Sequence, residues 1–282
     1  MTVINTNIKS LMAANALSQN GRAMQKTMQS LSTGSRINQA SDDAAGMSIR
    51  ENMTSQINGL NAAIRNANDA INMLQTADGS MNEVTDMMQR MRELGTLAQN
   101  DTYSTAQKQS LDDEYQALLS EIDRIRDNTQ WNKFSLLTGA GGEIGLTNAF
   151  TFQIGANAAQ TITVTIADQG TTVTGASYDN LAGTDLTTGT NAQSAVSALD
   201  VAISTLNSNR SLIGAGINRL EHAINNLTNV AQNATDSRSR VTDTDYSKAT
   251  ADLARQQIIA QAATAILAQA NQQPQTVLSL LK

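Results

Sequence analysis

From Ile57 onward the apolar positions step by three and four residues through Leu60, Ile64, Ala67, Ile71 and Leu74, and resume at Met81, Val84, Met88 and Met91. Asp78 is the one interruption. Alternation sustained over this length predicts a helix carrying a coiled-coil seam rather than the wider stripe of a globular helix. At about 1.5 Å per residue the segment would extend roughly 50 Å, so the pattern predicts a rod. A second run repeats it through Val196, Leu199, Ile203, Leu206, Ile213, Ile217, Leu220, Ile224, Leu227 and Ala231, broken only at Arg210. A shorter third run, Leu111, Tyr115, Leu118, Ile122 and Ile125, adds a further helix to the same bundle. The two charges on the seams, Asp78 and Arg210, read as register-fixing or partly solvated groups. Whether they meet is not set by the pattern.

Between these helices the period changes to two. Thr161, Thr163 and Thr165 alternate with Ile162, Val164 and Ile166, and Phe150 to Ile154 alternates likewise, with Asn157 to Gln160 as the connection. This predicts one β-hairpin. A hairpin alone is weak, so its apolar face should dock on the helices, with Trp131 and Phe134 as candidate anchors. Ala167 to Asn191 is rich in Thr, Gly and Asn and reads as a small surface excursion.

Both ends are amphipathic but thin in bulk. Ile4, Ile8, Leu11, Leu17, Met24, Met28 and Leu31 mark a face at the start, and Leu253, Ile259, Ala262, Ile266, Val277 and Leu281 mark one at the end. Isolated helices of this kind are marginal in water, so each end should need the other, or a neighbouring subunit. Between the first helix and the long seam lies LSTGSRINQASDDAAG, Leu31 to Gly46. Gly34 reads as a helix stop. Ser41, Asp42 and Asp43 offer oxygens to cap a new helix near Ala44, and capping explains those carboxylates better than paired-acid catalysis does.

Composition narrows the chemistry. The 282 residues include no cysteine and one histidine, His222, which excludes disulfide scaffolds, zinc ribbons, thiol enzymes and the usual metal sites. No catalytic constellation or cofactor motif is present, so neither an enzyme nor a cofactor is expected. A net charge of −6 disfavours nucleic acid, and no apolar run is long enough for membrane insertion. Met1 to Asn20 lacks the layout of a cleavable signal peptide, so the expectation is residence in the cytoplasm or exit by another route. Charge is uneven: residues 141–190 hold no basic group and four acidic ones. Asn and Gln together number 51 against 44 charged residues, which suits many repeated contacts without like-charge repulsion.

Several stretches carry a resemblance. The opening INTNIKSLMAANAL, the linker LSTGSRINQASDDAAGMSI, the helix GLNAAIRNANDAINMLQTADGSM, the strand FQIGAN and the tail ILAQANQQPQTVLSLL resemble bacterial flagellin, in the same order and including both ends. The resemblance implies a mainly α fold with a small β part: an elongated antiparallel helical bundle or coiled coil, with paired terminal helices and one β-hairpin region. It divides the chain into paired terminal helices at 1–33 and 250–282, linkers at 34–46 and 236–249, and a helical rod with hairpin at 47–166 and 192–235. The excursion at 167–191 stands where relatives insert outer domains.

The implied function is a subunit that polymerises into the flagellar filament, the propeller of swimming; the nearest alternative is the hook-filament junction protein, which has similar termini. The implied partners are further copies of the chain, the junction and cap proteins, a cytosolic export chaperone and the type III export apparatus, with secretion to the extracellular filament. The resemblance also places subunit contacts on the terminal apolar residues and a linker and helix cap at Gly34, Arg36, Asp42, Asp43 and Gly46. Gln89 to Leu94 is similar to the segment read by an animal Toll-like receptor, which makes Gln89, Arg90, Leu94 and Glu114 the candidate contacts.

Overall fold

A computed structural model describes residues 7–138, 149–170 and 178–279, with the side chains of 179 and 273–279 excluded. Five helices carry the chain: α1 (Ile8–Thr33), α2 (Ala44–Ala98), α3 (Thr105–Asn128), α4 (Gly189–Thr242) and α5 (Tyr246–Ser279). Four short strands, β1 (Gln130–Trp131), β2 (Phe134–Ser135), β3 (Ala149–Gln153) and β4 (Thr161–Thr165), form two antiparallel pairs, β1 with β2 and β3 with β4. The fold is thus mainly α with a small β part. It divides into two compact units, Met1–Gln56 with Gln232–Lys282, and Ile57–Ala231.

In the second unit, the seam residues Leu74, Met81, Met88 and Met91 of α2 join Tyr115 and Ile122 of α3 and Leu199, Leu206 and Leu220 of α4 in one core. The buried stripe of α2 is wider than a two-position seam, because Ala63, Ala70 and Ala77 are buried as well. These alanines sit seven apart and lead into Val84, Met91 and Ala98, so the buried face of α2 is broad and meets several elements rather than one partner helix. Gly95 is part of this close packing: a Cβ there would lie 2.7 Å from Val196 Cγ2. Asp78 and Arg210 do meet, Nε to Oδ1 at 2.9 Å, each half-exposed at the edge of the core. A pair so placed keeps its hydration and fixes the axial register of α2 against α4 within this unit.

β3 and β4 pair Phe150 with Val164 and Phe152 with Ile162, and Ile162, Val164 and Ile166 turn into the core while the threonines face out. The helices are shaped for this: Gly216 leaves room for Val164, and Gly59 lets Ala156 approach to where a Cβ would be 2.9 Å away. Trp131 and Phe134 belong to a separate hairpin, paired with each other across Asn132 and Lys133, both at positive φ. Sequence reading missed that turn because neither residue is glycine.

Two expectations are corrected here. Residues 167–191 are not a surface excursion where described: Tyr178, Leu181 and Leu186 are fully buried, and Tyr178 donates its hydroxyl to Gln169 Oε1. Burial pushes the Tyr178 phenol far above its ordinary range. Arg126 closes the same region with Nε and Nη2 on the two oxygens of Asp168 at 2.9 and 3.3 Å. The linker expected at 236–249 shrinks to residues 243–245, since α4 runs on to Thr242 and α5 begins at Tyr246, where Asp245 accepts from the Ser247 and Lys248 amides. No glycine or proline stands between 236 and 242 to stop the helix.

Candidate functional site

The first unit holds most of the residues singled out above. α1 and α5 lie antiparallel, tied by Asn7 Nδ2 to Ala270 O at 2.7 Å, Ser10 Oγ to Asn271 Oδ1 at 2.8 Å, Asn20 Nδ2 to Gln256 O at 2.8 Å and Tyr246 OH to Leu31 O at 3.3 Å. Asn7 works at both ends of its amide: its Oδ1 accepts from Ser10 N and caps α1. Ala270 O is available because residue 274 is the only proline of the chain and has no N–H to return to it. These amide contacts were not anticipated. The signal for them was there, an N-cap residue before the first periodic turn and a carbonyl orphaned by Pro274.

Packing between the two helices is shallow. No residue of α1 is buried. Leu17, Met24, Leu31 and Leu253 are half-buried along the seam, which α5 completes with small residues such as Ala249, Ala260, Ala263 and Ala270. The bulkier residues face outward: Ile8, Leu11 (64% exposed), Met12 and Met28 on α1, and Ile258 (66%), Ile259 and Ile266 on α5. Ile4 and Leu281 lie outside the described residues, as does the side chain of Val277.

The turn after α1 is closed by side chains. Gly34 ends the helix at φ 69°, and its carbonyl accepts from Thr244 N at 2.9 Å, while Arg36 N donates to Thr242 O at 2.7 Å. Ser35 and Asp243 form a single antiparallel bridge there. Arg36 Nη2 donates to Val241 O at 2.7 Å. Asp42 accepts from the Asn38 and Gln39 amides at 3.1 and 3.0 Å and pairs with Lys26 at 2.8 Å. The Lys26 ammonium first, then the two amides, hold its carboxyl down at about 2. Capping of α2 falls to Asp43 alone, whose Oδ1 accepts from Gly46 N at 2.8 Å. Beneath the turn lies Ile37, fully buried, with its carbonyl bound by Arg50 at 3.0 Å. What the arrangement does is fix how the chain leaves one helix and starts the next.

Two family models match this chain, the bacterial flagellin N-terminal helical region over residues 4–141 and the C-terminal helical region over residues 196–281. The chain belongs to the bacterial flagellin family. It is 42% identical to the flagellin of Halalkalibacterium halodurans over 280 residues, covering 99% of this chain and 100% of the relative. Identity to the Bacillus subtilis (strain 168) flagellin is also 42%, over 304 residues and 99% of each chain. The crystal structure of Bacillus cereus flagellin is 30% identical, covers 58% of this chain and 88% of that one, and superposes with a TM-score of 0.49. As a flagellin-family member, the chain is a structural subunit of the flagellar filament. The hook-filament junction alternative is not better supported by these similarities.

Gln89, Arg90, Leu94 and Glu114 lie in the second unit. Arg90 binds Glu114 through Nε and Nη2 at 3.0 Å and Glu93 through Nη1 at 3.1 Å, all three exposed, and these carboxylates raise the Arg90 pKa, Glu114 foremost. Gln89 is exposed beside them. Leu94 is corrected: at 1% exposure it is a residue of the core and is not part of this exposed patch.

Proposed function

We propose that the α1–α5 pair is the element through which copies of this chain join, and that the polymer is an extracellular propeller whose subunits leave the cell unfolded through the flagellar type III export channel. The observation that carries this reading is the outward row of Ile8, Leu11, Met12 and Met28 with Ile258, Ile259 and Ile266, on helices that bury almost nothing against each other. Full burial of one such side chain stabilises by about 1.5–3 kcal/mol, so even partial cover by neighbouring copies outweighs what the pair gains alone. Assembly here is heterologous and open-ended, one face meeting a different face on the next copy.

The same shallow packing suits export: terminal helices without a core of their own unfold at little cost and can be held by a chaperone beforehand. Junction and cap proteins then meet the ends of the growing polymer. For an animal Toll-like receptor the surface offered is Gln89, Arg90 and Glu114, a charged patch in which Leu94 takes no part. Seeded polymerisation tests the central point. Removal of residues 1–30 or 255–282 is expected to abolish elongation on filament fragments while far-ultraviolet circular dichroism retains the helices of the second unit. Fibres from either truncated chain would refute it.

A further inference from the structure

Asn20 and Asn58 are the two asparagines of this chain that precede a glycine. An Asn–Gly step is open to intramolecular attack because glycine has no Cβ to shield its own amide nitrogen and reaches conformations closed to other residues. Both steps are helical here, Asn20–Gly21 in α1 and Asn58–Gly59 in α2. A helical turn commits the glycine N–H to the carbonyl four residues back and holds it away from the asparagine side chain. Reaction therefore waits on local opening, and its rate follows the free energy of that opening.

The two openings differ sharply. Asn58 is flanked by Ile57 and Leu60, at 6% and 5% exposure, and Gly59 is packed on Ala156. Unwinding that turn uncovers core. Asn20 lies in a helix with no buried residue, and a Cβ built on Gly21 would meet nothing within 4 Å. Its main restraint is the single bond from Nδ2 to Gln256 O at 2.8 Å.

We propose that Asn20 is a self-modifying site in the unassembled chain. When the turn opens, the Gly21 nitrogen attacks Asn20 Cγ, the bond from Cγ to Nδ2 breaks, and ammonia leaves with the proton lost from Gly21. The succinimide then takes up one water at either carbonyl, leaving aspartate or isoaspartate at position 20. Nothing is oxidised or reduced. The product loses the donor that bound Gln256 O and sets a carboxylate against that carbonyl. Gln256 Oε1 is already buried without a partner, so this side of the seam gains a further acceptor and no donor. Isoaspartate also lengthens the α1 backbone by a methylene. Waiting monomers thus acquire a defect in the α1–α5 pair, whereas polymerised copies, with α1 held by neighbours, keep the amide. This last consequence rests on the proposed role of the pair; the chemistry at Asn20 does not.

The test incubates the full-length monomer at mildly alkaline pH, digests it, and follows the two Asn–Gly peptides by mass spectrometry for amide-to-acid conversion. The Asn20 peptide is expected to convert at least ~10-fold faster than the Asn58 peptide, which corresponds to ~1.4 kcal/mol in opening free energy. In urea the two rates are expected to converge. Equal rates in the folded monomer, or an Asn20 advantage that persists unfolded, would overturn the proposal. Fresh Asn20→Asp should elongate seeds as poorly as aged wild type, and Asn20→Gln, whatever its starting rate, should lose none of it on ageing; an Asn20→Asp chain that elongates normally overturns the effect on assembly. If fresh wild type fails to extend seeds, the joining role of the pair fails instead, and the ratio of rates stands by itself.

Discussion

Gly46→Ala sets two opposite physical effects against each other. Gly46 is the third residue of α2, and replacing a helical glycine with alanine ordinarily stabilises by about 1 kcal/mol. Here the added methyl group has no room: an ideal Cβ would lie 2.4 Å from Asp43 Oδ2 and 2.6 Å from Ile37 Cδ1. Both atoms must move. Displacing the Asp43 carboxylate gives up the cap on Gly46 N, worth about 1 kcal/mol. Ile37 is fully buried, so moving it adds an overpacking cost of about 1–3 kcal/mol. The sum is a net destabilisation of about 1–3 kcal/mol, localised to the turn that joins α1 to α2. Amide hydrogen exchange of residues 37–50 in the full-length monomer would report it as faster exchange there, with unchanged protection of the second unit. Slower exchange across the turn would refute the reasoning, because it would mean that helix propensity decides and the site has slack.

Two further outcomes follow from the same geometry. Asp42 is held at about 2 against an ordinary 3.8, so the unfolded chain takes up its proton first, and the stability it contributes is complete above the mid-fours and lost as pH falls through about 2; Asp42→Asn should flatten the acid limb of a denaturation series on the first unit, and an unchanged limb would contradict the Lys26 and amide contacts. Tyr178→Phe leaves Gln169 Oε1 without the donor in its buried site and should cost about 1–3 kcal/mol in urea melts monitored on the second unit, whereas a neutral change would mean that water reaches Gln169.

The helices of the second unit were legible because their information is periodic: Leu60 to Met91 and Val196 to Leu220 repeat the spacing of the surface they bury. The β3–β4 pair was equally plain, since alternate Thr and Ile leave one choice of face. Turns and amide contacts were less so. Asn132 and Lys133 adopt positive φ without glycine, and the α3 cap passed unnoticed although Ser104 and Gln107 stand at capping-box spacing and bind each other's backbone amides. The stretch before α4 was misjudged because three buried side chains, Tyr178, Leu181 and Leu186, are spaced irregularly and so leave no period to read. Leu94 was misplaced although its period is readable: it stands three residues after Met91 and four before Ala98, in step with the buried face of α2, and the resemblance of the surrounding segment outweighed that spacing.

Pro274 bears on how the terminal helices avoid slipping. A groove lined mainly by alanine looks nearly the same after a shift of one turn, so side-chain size alone would let α1 glide along α5 through a set of near-equal alignments. A carbonyl without its usual N–H partner is a single notch on that otherwise uniform track, and Asn7 is the tooth that enters it at 2.7 Å. Gly34 and Thr244 pin the opposite end of the track at 2.9 Å. With both ends keyed, the helices have one phase, and a chain that buries very little can still present its outward isoleucines at reproducible heights.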